Sequence, residues 1–208
     1  MSFLLDTLLD SFQYFIFIAF LILVSYASAN TLPARTAKAD RWVFIWLIFD
    51  ALVHLTMEAM FVWLSIGGNN VEGSTGFMAD LWKEYSKADS RWAIADPTIV
   101  AIEAITAVFC GPLCLVVALC IHKKHPWRHV WQVVLVVCEL YGGYMTFFPE
   151  VLSGSSALNT TNPVYKYVYL IFFNGLWVVI PLLLLWQSAQ RIAHGDKLLH
   201  SKEYTKQQ

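Results

Sequence analysis

Charge is what this sequence has least of. Only 14% of its 208 residues are Asp, Glu, Lys or Arg, where soluble domains carry about 25%. A deficit of that size excludes an ordinary solvated surface. The formal net charge is -1, so no cationic face exists to displace counterions, and nucleic acid is excluded as a partner. Cysteine is also scarce. Cys110, Cys114, Cys120 and Cys138 all sit in apolar runs, and none forms a CxxC pair. Neither a disulfide framework nor a zinc site is indicated, and the four read as small buried hydrophobes. There is no phosphate loop, no HExxH or other metal-ligand spacing, and no nucleophile elbow. No cofactor and no metal are therefore expected. Internal repeats and low-complexity tracts are missing as well.

What the sequence has is apolar length. Hydrophobic residues make up 58% of it, and its mean hydropathy is +0.55. A membrane-crossing helix needs about 20 mostly apolar residues. Five stretches qualify, at about 11–29, 42–66, 98–121, 130–148 and 165–187. Helices satisfy their own backbone groups in lipid, so all five are predicted to be helical. The expected fold is an all-α membrane protein. It is a five-helix bundle with an intramembrane ligand pocket, one domain over 1–190, and a basic cytosolic tail over 191–208. The first stretch ends in Ala27-Ser28-Ala29, which resembles a signal-peptidase site. The residues before it include Asp6 and Asp10 but no Lys or Arg. A signal peptide wants a positive start, so a retained helix is expected.

Loop charges orient the bundle. Arg35, Lys38, Arg41, Lys123, Lys124, Arg128, Arg191, Lys197, Lys202 and Lys206 fall on one side, and Lys83, Lys87, Arg91 and Lys166 on the other. Positive loops stay cytosolic, which predicts a lumenal N-terminus and a cytosolic C-terminus. The sequon Asn159-Thr160-Thr161 then faces the lumen. Trp42, Trp63, Trp127, Trp131 and Trp186 crowd the span ends, as interfacial belts do. Trp177, near the middle of the fifth span, does not fit that pattern.

Ionisable side chains inside a span are expensive, and each marks a candidate function. Asp50, His54 and Glu58 follow each other at i, i+4, i+8 on one face of the second span. Glu103 and Thr106 lie one turn apart in the third. Glu139 lies in the fourth, and Asn174 and Trp177 form an i, i+3 pair in the fifth, followed by Pro181. At about 1.5 Å per residue, Glu58, Asn174 and Glu103 lie about 12, 14 and 7 Å from the lumenal ends of their spans. They can meet in one pocket. Asp50 sits closer to the cytosolic side, where a structural role is as natural. No Lys or Arg lies in the interior of a span to neutralise these acids. Acids and a histidine can move protons, and an aromatic face can stabilise a cation. Such a set suits protonation of an apolar alkene, shelter of the carbocation and removal of a proton elsewhere.

The residues also carry a resemblance. Leu81-Trp-Lys-Glu-Tyr-Ser-Lys-Ala-Asp-Ser-Arg91, Glu103-Ala-Ile-Thr106, Gly111-Pro112, His54-x-x-x-Glu58, His125-Pro126, Leu140-Tyr141-Gly142 and Asn174-x-x-Trp177 with Pro181 are similar to the emopamil-binding protein family. These are the sterol Δ8–Δ7 isomerases of the endoplasmic reticulum. The likeness covers about 42–190. It implies a bundle opening toward the membrane, with His54, Glu58, Glu103, Thr106, Asn174 and Trp177 lining a sterol cavity. Catalytic roles are expected for His54, Glu58, Glu103, Asn174 and Trp177. Substrate contacts are expected for Thr106, Tyr141, Glu139 and Asp50. The implied ligands are a sterol or related polycyclic terpenoid from the bilayer, with cationic amphiphilic amines as inhibitors. A homodimer stays open. Two positions depart from the family pattern. The sterol isomerases commonly carry Gln at the position of Glu139 and Asp at that of Gly143, and Asp50 is an added acid. An isomerase or cyclase of another terpenoid, or a non-catalytic sterol or amine binder, therefore stands beside the sterol isomerase. A transporter would predict inverted repeats, which are missing.

Overall fold

The computed structural model describes residues 2–206, with side chains at 9 and 11–198. Eight α-helices follow in order: α1 (Ser2–Ser28), α2 (Lys38–Leu52), α3 (Ala59–Ser65), α4 (Phe77–Ser86), α5 (Pro97–Ile105), α6 (Gly111–His122), α7 (Arg128–Ser153) and α8 (Asn174–Lys206). Three wider π-helical stretches join some of them end to end. Val53–Glu58 links α2 to α3, Thr106–Cys110 links α5 to α6, and Val164–Phe173 leads into α8. Among the described residues, five continuous helical segments are long and apolar enough to cross a membrane: Ser11–Thr31, Lys38–Ser65, Pro97–His122, Arg128–Ser153 and Val164–Leu198. Four of them contain an expected span whole, and the second stops one residue short, at Ser65 rather than 66. The chain is an integral membrane protein with a five-helix bundle.

The boundaries have local causes. Asp96 caps α5, its carboxylate accepting from the Thr98 and Ile99 N–H groups, and Pro97 supplies the fixed φ of a first turn. Pro112 has no N–H to continue a regular ladder, and the ladder widens just before it, over Thr106–Cys110. Gly154 ends α7 in the left-handed region at φ +88°. The α8 helix continues through the expected tail as far as Lys206. The side chains of Asp6, Asp10, Lys202 and Lys206, and all of Gln207 and Gln208, lie outside the described residues.

Packing is densest where α7 runs along α8, α2 along α6, and α1 along α2. One core holds Phe44, Leu47, Val117, Ile121, Leu135 and Leu184. A second holds Phe61, Trp82, Trp92 and Ile99, with Trp82 stacked on Trp92 at 4.6 Å and 5°. Gly111 permits the closest helix approach. A Cβ there would come within 2.9 Å of Leu55 Cγ and 3.1 Å of His54 Cβ. The tryptophans at the span ends are outward-facing, Trp42, Trp63 and Trp186 each by about two thirds, as an interfacial belt requires.

The long 66–96 connection folds back over one end of the bundle. Arg91 forks onto Asp89, with Nε–Oδ1 2.9 Å and Nη2–Oδ2 2.6 Å. Its Nε also lies 3.7 Å from Glu150 at the end of α7. Glu150 in turn accepts from the Ala157 N–H at 3.1 Å. This buried clamp fixes the segment just after α4 to the end of α7.

Candidate active site

A cavity of about 630 Å³ lies between the helices. Its wall is mainly aromatic and aliphatic, from Tyr14 and Ile18 on α1, Trp46 and Phe49 on α2, Trp82 and Tyr85 on α4, and Phe173 and Leu176 near the start of α8. His54, Glu58, Glu103, Thr106, Glu139, Asn174 and Trp177 also line it, and among the described residues no Lys or Arg does. The sequence pattern thus converges on one volume.

The polar end is built on the two wide turns. The first carries both His54 and Glu58, and the second begins at Thr106, one turn after Glu103. His54 Nδ1 and Glu58 Oε2 are 2.5 Å apart. Thr106 Oγ1 reaches the same Glu58 oxygen at 2.5 Å and lies 3.3 Å from Glu103 Oε2. The result is a chain of contacts, His54–Glu58–Thr106–Glu103, with one hydroxyl between two carboxyl groups. A hydroxyl can donate to one neighbour while accepting from another. His54, Glu103 and Thr106 are buried, while Glu58 keeps a slight exposure.

Asn174 and Trp177, which both line the cavity, also tie its wall together. The Asn174 amide donates to the Tyr85 hydroxyl at 3.1 Å, the Tyr169 carbonyl at 2.8 Å and the Leu170 carbonyl at 3.1 Å. It closes the open backbone of the third wide stretch and ties it to α4. Trp177 Nε1 donates to Asp50 Oδ1 at 2.8 Å, and its ring packs against Trp46 and Phe49. Tyr85 lies outside the spans, and its enclosure raises its hydroxyl well above the usual tyrosine range.

Two expected contacts are corrected by the fold. Tyr141 faces outward, 65% exposed, and does not line the cavity. The reason is helical phase, because Gly142, Gly143 and Thr146 occupy the inward face of α7. Asp50 is fully buried and sits behind the wall, where Trp177 covers it. Cys114 also departs from the simple hydrophobe, since its thiol donates to Asp50 Oδ2 at 3.3 Å. Although no metal-ligand spacing is visible in the sequence, Asp50, His54, Cys114 and Glu139 bring one donor atom each within 4.8 Å of the others.

Sequence reasoning missed the lid. Leu81, Trp82, Glu84 and Tyr85 on α4 all face the cavity. The Trp82 indole donates to the Met57 carbonyl at 3.0 Å, inside the first wide turn. Glu84 accepts from Ser11 at 3.1 Å, and Tyr169 donates to Ser11 at 2.8 Å. The available signal is the amphipathic spacing of 77–86, which places an apolar face on a helix outside the spans.

Comparison with known proteins agrees with this architecture. The chain is similar to 3-beta-hydroxysteroid-Delta(8),Delta(7)-isomerase of Cavia porcellus, 35% identical over 174 residues covering 84% of this chain and 74% of the relative. The Mus musculus protein of the same name is 32% identical over the same shares. Protoglabretal synthase of Citrus sinensis is 29% identical over 186 residues, covering 89% of this chain and 86% of the relative. Residues 77–188 match the model of EBP, described as EXPERA (EXPanded EBP superfamily). That match spans more than half of the sequence, and it includes the lid, Glu103, Thr106, Asn174 and Trp177; the chain belongs to the EBP family.

Proposed function

We propose that the protein is a sterol Δ8–Δ7 isomerase, shifting a carbon–carbon double bond through a carbocation. One observation carries the reading. An apolar cavity of about 630 Å³, within the usual size of small-molecule sites, has at one end a continuous His54–Glu58–Thr106–Glu103 contact chain. The named function of the two mammalian relatives supports it.

The chemistry balances without an external redox partner. An acid at the His54–Glu58 end gives a proton to C9 of the C8=C9 alkene, and the pair of π electrons forms the new C9–H bond. The resulting cation at C8 is sheltered by carboxylates and by the Trp177 face. A base removes the proton at C7, and that bond's electrons form C7=C8. Glu103 stabilises the cation or accepts this proton. The Thr106 hydroxyl connects acceptor to donor and can return the proton. Asn174 positions the wall through Tyr85, and Glu139 contacts the substrate from α7. Cationic amphiphilic amines mimic the C8 cation and inhibit.

A second reading is isomerisation of another polycyclic terpenoid. The observation favouring it is the acid Glu139 in the cavity wall, where sterol isomerases of the family commonly carry Gln. Its plant relatives include a protoglabretal synthase. The loop-charge asymmetry supports a lumenal N-terminus and a cytosolic C-terminus, and the resemblance supports the endoplasmic reticulum.

The test is expression in microsomes of a host lacking sterol isomerase, with an 8-ene sterol in deuterated water. The expected product is a 7-ene carrying deuterium at C9. No conversion by protein that still binds a cationic amphiphile would overturn the sterol assignment and move attention to terpenoid substrates.

A further inference from the structure

Just behind the cavity wall, four side chains converge on one point from three of the five spans. Asp50 comes from α2, His54 from the wide turn after it, Cys114 from α6 and Glu139 from α7. Their donor atoms all lie within 4.8 Å of one another. None is more than 4% exposed. Cys114 Sγ is 3.3 Å from Asp50 Oδ2, and His54 Nε2 is 3.2 Å from Asp50 Oδ1. Ligand atoms at zinc bond lengths sit about 3.3–3.7 Å apart along the edges of a tetrahedron. The cluster already has nearly that size.

Hydrogen bonding satisfies the cluster only in part. Both carboxylate oxygens of Glu139 are buried and make no hydrogen bond, and His54 Nε2, also without one, meets only the Asp50 carboxylate at 3.2 Å. Asp50 and Glu139 thus approach each other with no fixed positive charge in the cavity lining. Buried, unpaired acceptors converging in this way call for a cation. The surroundings match those of a metal centre. The other nitrogen of His54 rests against Glu58 at 2.5 Å, the carboxylate–histidine arrangement that fixes a ligating tautomer. The Trp177 indole holds Asp50 in place at 2.8 Å. A thiol among the donors selects a thiophilic ion over magnesium or calcium.

We propose that Asp50, His54, Cys114 and Glu139 form a buried binding site for a divalent metal ion of the zinc class. Binding displaces the Cys114 proton to solvent and places the thiolate, two carboxylates and a neutral imidazole around the ion. Occupancy also takes His54 Nε2 out of proton traffic. On the isomerase reading given above, the metal-loaded protein is therefore inactive, and a chelator restores turnover. The cavity, into which both His54 and Glu139 open, is the entry path when no lipid substrate fills it.

The test is a titration of the full-length, detergent-solubilised, chelator-treated protein with cobalt(II), followed by visible and near-ultraviolet absorption. The expected result is one equivalent bound, with tetrahedral d–d bands and a thiolate-to-metal charge-transfer band, all displaced by zinc. Cys114→Ser loses the charge-transfer band and weakens binding by more than about a hundredfold, beyond the roughly 10–100-fold that loss of a supporting contact alone costs. Glu139→Gln, which carries the amide common in the family, keeps the charge-transfer band and binds more weakly. Cys120→Ser on the same helix changes nothing. An unaltered spectrum in Cys114→Ser, or no stoichiometric binding in the wild-type protein, overturns the proposal. Conversion of an 8-ene sterol by metal-free protein reads the proposed function separately, so either idea can fail alone.

Discussion

The protein has two buried acid clusters, and they are built on opposite principles. At the mouth, Asp89 and Glu150 surround Arg91, a cation that keeps its charge at any ordinary pH. Its fork meets Asp89 through two bonds, and the other Glu150 oxygen takes a backbone N–H. In the interior, Asp50 and Glu58 flank His54, whose charge is lost when it gives up a proton, Glu139 lies beside them, and Glu103 joins through Thr106. The outer acids have nothing to exchange and serve as a clamp. The inner acids have one imidazole and one bridging hydroxyl near them, groups that can both give and take a proton. What separates a strut from the proposed reaction centre is the partner of the acids, since burial is similar in both.

Removing the central basic residue of each cluster breaks the comparison most directly. His54→Ala should lower kcat per folded molecule by about 10²–10⁴, the usual worth of a positioned acid or base, a loss of rate beyond any stability lost by leaving Asp50 and Glu58 without their buried partner. Turnover in microsomes, normalised to folded protein, checks it, and full activity would remove His54 from the donor end. Arg91→Ala should do the reverse. Breaking a buried pair from one side costs about 3–5 kcal/mol, so the thermal midpoint in detergent falls sharply. The kcat per folded molecule stays within a few-fold, because Arg91 is 8% exposed in the clamp and does not line the cavity. Loss of activity out of proportion to loss of fold would mean that the clamp has a chemical role.

The two clusters were unequally legible in the sequence. Spans and polar positions could be read because lipid penalises an unpaired charge, so each of His54, Glu58, Glu103 and Glu139 stands out against an apolar run. The periodicity of the second span also put Asp50, His54 and Glu58 on one face. The partners could not be read. That Trp177 donates to Asp50, and that Cys114 joins it, depends on the rotation of α6 and α8 against α2, which no local pattern encodes. Tyr141 shows the same limit, since one residue of helical phase separates it from the inward-facing Gly142. The α4 lid was hidden for another reason. Its composition is that of a surface helix, and only the fold-back of 66–96, held by Arg91, turns it over the cavity.

A subtler cut separates the two halves of the inner cluster. Thr106 Oγ1 touches both Glu58 and Glu103, and Thr106→Val replaces that hydroxyl with a methyl of similar shape. A hydrogen bond to a charged group contributes about 1.5–3 kcal/mol, which corresponds to a loss in kcat of roughly ten- to a hundredfold. Thr106→Ser keeps the hydroxyl and should recover most of the activity. If both variants behave alike, the hydroxyl carries no proton and the side chain only fills space.

The smallest change joins packing to chemistry. Gly111 lies against the wide turn that carries His54, and an added Cβ would meet Leu55 Cγ at 2.9 Å and His54 Cβ at 3.1 Å. One contact is to a branch carbon and the other to the root of the imidazole side chain, so neither can swing away freely. Gly111→Ala should cost about 1–3 kcal/mol of stability, as overpacking does, less than the loss expected for Arg91→Ala. A displacement of about 1 Å at a reacting group costs about a hundredfold in rate. A shift of a few tenths of an ångström at His54 should therefore lower kcat by roughly tenfold, with KM little changed. The ratio of the two effects is the informative quantity. Arg91→Ala should lose fold and keep rate, whereas Gly111→Ala should lose little fold and a measurable part of the rate, because its clash is transmitted to His54, the proposed proton donor.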